Sequence, residues 1–220
     1  MECIPVNGYK FLSIFNWQWR KGWDILLGAY FDEFSFHEDV VLILRCDVLD
    51  KKKRSSLRRT MEEFSDRRRR RLPKVVLLET RLNRLDLFRL YAVSDSFVLP
   101  TRGEGWGRPI SDAMAMGLPV VATNWSGNTE YMRDGNSFLV DCKIIDVHDD
   151  AAKEWEAFAG QKWAEPSIEH LRSIMRYLFE NPQAGSRVGL AAMKEMRSLY
   201  SPGVVSGLFS QQITRLLRRS

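Results

Sequence analysis

Apolar runs of strand length alternate with segments of helical period along the first two thirds of the chain. "YKFLSIF" (9–15), "VVLILRC" (40–46), "KVVLLE" (74–79), "SFVLP" (96–100) and "PVVAT" (119–123) are too short and too uniformly apolar for amphipathic helices. They predict strands buried on both faces. "SFLV" (137–140) predicts a last one. Between them, "WDILLGAYFDEF" (23–34) sets Trp23, Leu26, Leu27, Tyr30, Phe31 and Phe34 on one helical face. "NRLDLFRLYAVS" (83–94) predicts a helix capped by Asn83, with Asp86 three residues on. "RPISDAMAMG" (108–117) predicts another, with Pro109 in its first turn and Gly117 as its stop. "GNTEYM" predicts a short helical turn.

Fully apolar strands alternating with helices imply an α/β fold, a Rossmann-like doubly wound parallel sheet, over residues 1–150. Its ligand site is expected beyond the carboxyl ends of the strands. After 150 the polar stretch "HDDAAKEWEAFAGQKWAEPS" leads into helix-period sequence alone, near 167–181, 184–200 and 204–219. Residues 151–220 are therefore expected to form a helical C-terminal extension packing on the same domain. The last of these helices carries Val204, Val205, Leu208, Phe209, Ile213, Leu216 and Leu217. That face can pack either on its own sheet or against a further domain.

Composition supports a real core, with 45% hydrophobic residues among 220. No apolar run approaches the roughly 20 residues that span a bilayer, and the N-terminus lacks the basic-then-apolar form of a signal peptide. Cys3, Cys46 and Cys142 form no close pair, which predicts reduced thiols and a cytoplasmic location. His37, His148 and His170 have no metal-type spacing, so no metal site is expected. The net charge of +5 is uneven. Residues 51–71 hold eleven Lys or Arg against three acids, a local +8 that leaves the remainder at −3. Such a run can bind nucleic acid or anionic lipid. With Phe64 as its one aromatic it offers no stacking ladder, so a solvated helix face is the favoured reading, nucleic acid is disfavoured as a partner, and peripheral membrane contact stays open.

Chemistry concentrates in "TRGEGWGRPISDAMAMGLPVVAT" (101–123). Gly103, Gly105 and Gly107 lie between a strand end and a helix start, where backbone N–H groups and the helix dipole favour an anion. Glu104 would repel a ligand that is only phosphate. It suits a ligand that joins phosphates to a sugar, accepting hydrogen bonds from hydroxyls. Asp112, about one turn into the helix, can lean toward the same cleft. Two acids around an anion site fit the ribose and hexose that flank the diphosphate of a nucleotide sugar; the competing reading is a surface turn with an acid complementing the helix dipole. "FNWQWRKGWDILL" (15–27) repeats the strand-to-helix layout with Arg20 and Lys21 at the turn and Gly22 at the helix start, cations suited to a diphosphate.

These two stretches, with "LYAVSDSFVLP" before the second, resemble the donor-binding half of a retaining glycosyltransferase of the GT-B group (group 1, sucrose-synthase-like). The resemblance covers about residues 10–140, with a looser match in "GQKWAEPSIEHLRSIM". Its signature is Glu-x7-Glu followed by a Pro-Val-Val-Ala strand. The resemblance implies that Glu104 contacts the transferred sugar, with the amides of Gly105, Trp106 and Gly107 near sugar and phosphate. It implies that Asp112 holds the ribose hydroxyls, that Lys21 binds the diphosphate, and that the backbone from Leu77 through Leu78 to Glu79 borders the base. Glu104 and Lys21 are then the catalytic residues, the nucleotide sugar is the substrate, and no metal or other cofactor is needed. Two positions depart from the pattern. The second acid is Asp112 rather than Glu, about 1.5 Å shorter in reach. Asn16 stands where the family has Arg, which leaves Arg20 as a candidate replacement charge. The acceptor remains unspecified, and a separate N-terminal domain or chain is expected to bind it. The rival readings are a non-catalytic nucleotide-sugar-binding or scaffolding module and a basic nucleic-acid binder using 51–71.

Overall fold

The computed structural model describes residues 7–47, 59–60, 62–63, 66, 71–79 and 82–218. Most of the basic segment 51–71 and Cys3 lie outside the described residues. Six parallel strands form the central sheet: β1 (Tyr9–Asn16), β2 (Val40–Asp47), β3 (Lys74–Leu78), β4 (Ser96–Leu99), β5 (Val120–Thr123) and β6 (Phe138–Val140), in the order β3-β2-β1-β4-β5-β6. Every pairing is parallel, with Phe11 opposite Leu42 and Ser96, and Ile14 opposite Arg45. The chain runs outward from β1 to β3, crosses back, and continues from β4 to β6. The β1/β4 boundary is therefore the topological switch point, where a doubly wound sheet opens a crevice at its carboxyl edge.

Helices cover both faces. α1 (Trp23–Glu33) is buried nearly all round, from Trp23 through Phe31 apart from Asp24, because the sheet lies on one side and α5 (Ile168–Glu180) on the other. Glu33 of α1 accepts hydrogen bonds from Arg172 and Arg176 of α5. α2 (Arg84–Ala92) starts as the sequence predicts: Asn83 Oδ1 accepts from the Asp86 amide at 2.9 Å. α3 (Arg108–Ala115) ends at Gly117, whose φ of +83° is the left-handed stop expected of it. α6 (Pro182–Leu199) presses against that turn so closely that a Cβ at Gly189 would sit 2.2 Å from the Gly117 carbonyl oxygen.

Two expectations for the C-terminal region are corrected. A strand interrupts the helix-only reading: β8 (Lys162–Pro166) pairs antiparallel with β7 (Cys142–Asp146), and a short α4 (Asp149–Glu154) lies between them. Strand β7 is largely exposed, so no apolar alternation announces the hairpin. α5 and α6 bury apolar residues against the domain, whereas α7 (Pro202–Leu217) buries none. Packing of that last helix on its own sheet is thus not what the structure adopts. Among the described residues no helix is long and apolar enough to cross a membrane, and Cys142 is a free thiol.

Candidate functional site

At the switch point the carboxyl ends of β1, β2 and β4 open into a cleft of about 700 Å³, within the size range of small-molecule sites. Its walls include Ile14, Phe15 and Asn16 of β1, Lys21, Arg45 of β2, and Leu82, Leu87 and Tyr91 beside and on α2. Glu104, Trp106, Gly107, Arg108, Pro109 and Asp112 complete it. Of the residues singled out from sequence, Asn16, Lys21, Glu104, Trp106, Gly107 and Asp112 are therefore brought together. Arg20, Gly103 and Gly105 stand behind the wall rather than in it, and Leu78 and Glu79 are likewise not part of it.

The backbone explains how two distant loops meet. Gly22 caps α1 with φ +66°, and a Cβ there would lie 1.9 Å from the Pro100 carbonyl oxygen. The turn after β1 thus rests directly on the exit of β4, which only glycine permits. Across this contact the Arg102 amide donates to the Arg20 carbonyl at 2.7 Å, and the Thr101 hydroxyl lies 3.0 Å from the same oxygen. Lys21 Nζ then reaches Glu104 Oε1 at 2.6 Å, with both side chains largely buried. Burial holds the Lys21 ammonium below its ordinary pKa, and the Glu104 carboxylate opposes that shift. Arg20 does not face the cleft. Its guanidinium donates to the Gly103 carbonyl and lies 3.5 Å from Glu104 Oε2, which braces the loop.

Asp112 lines the same cleft and is exposed. Desolvation raises its carboxyl pKa above the ordinary value, against the pull of Arg108 and Arg84. Trp106 packs its ring 4.6 Å from that of Tyr131, while its indole N–H donates to Ser111 Oγ at 3.2 Å. Tyr131 fixes the same loop from below, donating to the Trp106 carbonyl. Gly107, with φ +81°, turns the chain into α3.

Three supports escaped the sequence. Arg102, 2% exposed, forks onto Asp24 at 2.8 and 2.7 Å and onto Glu165 at 2.6 and 2.9 Å, with a further bond to the Trp19 carbonyl. Burial pulls its pKa down, and the two carboxylates more than reverse this. Arg45 is a buried cation near the end of the mostly apolar strand β2. Ser126 lies in the left-handed region at φ +73°, rare for a side-chain-bearing residue. Its hydroxyl donates to the Glu104 carbonyl at 2.7 Å and lies 3.2 Å from the Glu104 amide, and the neighbouring Gly127 amide donates to the same carbonyl at 2.9 Å. A Cβ at Gly127 would lie 1.9 Å from the Gly105 carbonyl oxygen. The strain at Ser126 is the cost of clamping the Glu104 peptide. Ser126→Ala is expected to lose about 1–3 kcal/mol of stability, because it keeps the strained angle and drops the clamp. Ser126→Gly is expected to lose about 1 kcal/mol less, since glycine accepts that angle freely. Urea unfolding of the two variants checks the order.

Among the described residues no group of three His, Cys, Asp or Glu is placed to hold a metal ion. The chain resembles known glycosyltransferases in shape throughout its length. Sucrose-phosphate synthase from Thermosynechococcus elongatus superposes with a TM-score of 0.73 at 16% identity, over 99% of this chain and 47% of that one. Anabaena HepE, solved with UDP and glucose, gives 0.69 at 22% identity over 97% and 49%. The C-terminal domain of a group 1 family protein, LpcC, from Francisella tularensis gives 0.65 at 15% over 88% and 87%. The chain thus spans about half the length of the first two, and nearly all of an isolated C-terminal domain. No curated protein matches it in sequence. The sequence pattern that defines the group 1 glycosyl transferases matches residues 10–155. That match takes in both loops of the cleft and the sheet that carries them, and the chain belongs to the group 1 glycosyl transferases.

Proposed function

We propose that this chain is the donor-binding half of a retaining glycosyltransferase that transfers a hexose from a UDP- or GDP-sugar. The observation that carries the reading is the meeting of Lys21, Glu104 and Asp112, from three separated positions, on the walls of one switch-point cleft. Glu104 orients the sugar through its hydroxyls. Lys21 and the backbone from Gly105 to Gly107, at the start of α3, stabilise the charge that develops on the departing diphosphate. Asp112 accepts from the ribose hydroxyls. In this reading the electrostatic work falls to an ammonium and to backbone dipoles, and no metal is assigned a role. The acceptor is bound by a separate N-terminal domain or chain, matching the half-length coverage of the related structures. Support for the donor comes from HepE, a structural relative solved with UDP-glucose.

Calorimetric titration with UDP- and GDP-sugars tests the reading, and its pH dependence is specific. Asp112 must be ionised to accept from ribose, and its pKa in the free protein is raised. Affinity is therefore expected to be constant above that pKa and to fall as the pH drops through it, at a higher pH than an ordinary aspartate would give. Ligand binding favours the carboxylate, so protons are released on the falling limb. Asp112→Asn is expected to bind more weakly and to lose this acidic limb. A parent and a variant with identical pH profiles would remove Asp112 from the ribose. Release of labelled sugar from a bound donor, with and without an added acceptor-binding half, separates a transferase from a module that only binds.

A further inference from the structure

The cleft lining combines two kinds of chemistry. Lys21 and Glu104 form one, at the β1/β4 boundary. The other is the apolar set Ile14, Leu82 and Leu87, with Arg45 and Tyr91 among the polar residues of the same lining. Arg45 sits on β2 opposite Ile14, so that β1 lies between it and β4, the strand that leads to the sugar-directed Glu104. Burial pushes the Tyr91 phenol well above its ordinary pKa, and its hydroxyl is committed to the Pro109 carbonyl at 3.2 Å. Arg45 is the residue that β2 contributes to the cleft lining.

Arg45 is 7% exposed near the carboxyl end of "VVLILRCD", opposite Ile14 of β1 and Leu78 of β3. Whichever of its five N–H groups the protein engages, those that face the cleft can only donate, because arginine has no acceptor. A flat ring sliding between Ile14, Leu82 and Leu87 meets a donor-only cation at its edge. Guanine matches this with adjacent O6 and N7 acceptors, and uracil with a ring carbonyl. Adenine places an amino donor beside N7.

We propose that Arg45 reads the base of the bound nucleotide and selects one bearing a ring carbonyl, guanine or uracil, over adenine. This rests on the nucleotide-sugar reading above and adds to it a residue that determines the base. The test uses the full 220-residue chain and calorimetric affinities for UDP, GDP and ADP, with wild type, Arg45→Met and Arg45→Gln. Wild type is expected to prefer UDP or GDP over ADP by roughly ten- to a hundred-fold, the usual discrimination of one arginine–base contact. The two keto diphosphates distinguish uracil from guanine. In Arg45→Met that ratio is expected to collapse toward one. In Arg45→Gln, whose amide pairs with adenine N6 and N7, it should move toward ADP. The wild-type ratio is informative even where a variant fails to fold. ADP binding as tightly as both others in wild type, or a preference that persists unchanged in both variants, overturns the proposal while leaving the nucleotide-sugar reading standing. Failure of wild type to bind any of the three overturns both.

Discussion

Replacing Arg102 by methionine is expected to cost about 3–5 kcal/mol of folding stability. The side chain is of similar length and apolar, so packing changes little; what changes is charge. Asp24 and Glu165 each lose a two-point hydrogen-bonded partner within a network that ties three segments together. Asp24 lies in the first turn of α1, Glu165 in β8, and Arg102 in the loop that leads to Glu104. The guanidinium also lies over the Trp163 ring, 5.1 Å from its centroid, a cation–π contact that methionine forfeits. Both carboxylates keep some access to water, at 21% and 31% side-chain exposure, which sets the expected loss toward the lower end of the range. Lysine should rescue little, because a single ammonium cannot fork onto two carboxylates. The diagnostic variant neutralises all three groups at once: Arg102→Met with Asp24→Asn and Glu165→Gln should recover much of the lost stability, since no buried charge is stranded. Urea unfolding of the single and triple variants measures both. A single variant within 1 kcal/mol of wild type would show that the network carries little of the stability.

What the sequence made legible follows from what a pattern can encode. Buried parallel strands are apolar on both faces, so "VVLILRC" and "SFVLP" are unmistakable, and the cap at Asn83 is a local signal three residues long. Glu104, Lys21 and Asp112 were legible because each lies at a strand exit or helix start, where a doubly wound fold puts its ligands. The remaining features needed three dimensions. The Asp24–Arg102–Glu165 network joins positions 78 and 63 residues apart, and no spacing rule reaches that far. Arg45 reads as one polar interruption in a core strand until β2 is seen to end in the cleft. Strand β8 hides in a polar linker because only Trp163, Ala164 and Pro166 turn inward. The apolar spacing of α7 predicts a packed helix as well as it predicts an open face, and Leu208, Phe209 and Leu216 are all more than half exposed.

Glu104→Gln is expected to weaken binding of a nucleotide sugar by roughly ten- to a hundred-fold, the worth of about one hydrogen bond to a charged group. Binding of the bare nucleoside diphosphate should change less than about threefold. The two ligands differ only in the hexose, so the split reports whether the carboxylate acts on the sugar. In the structure Oε1 faces Lys21 and the Thr101 hydroxyl, and Oε2 faces Arg20. This arrangement fixes the carboxylate at the cleft wall and cancels one of the charges a diphosphate would seek. Removing the negative charge frees Lys21 for the phosphates and removes a repulsion from them, and each effect favours the bare nucleotide. The loss of sugar contact acts in the opposite direction on the sugar-bearing ligand alone. Lys21→Met provides the contrast: the diphosphate is common to both ligands, so both affinities should fall together. Were Glu104 merely a brace for its loop, Glu104→Gln would weaken the two ligands equally and lower the melting temperature in step, and calorimetry with a parallel melt distinguishes that outcome from a carboxylate that grips the hexose.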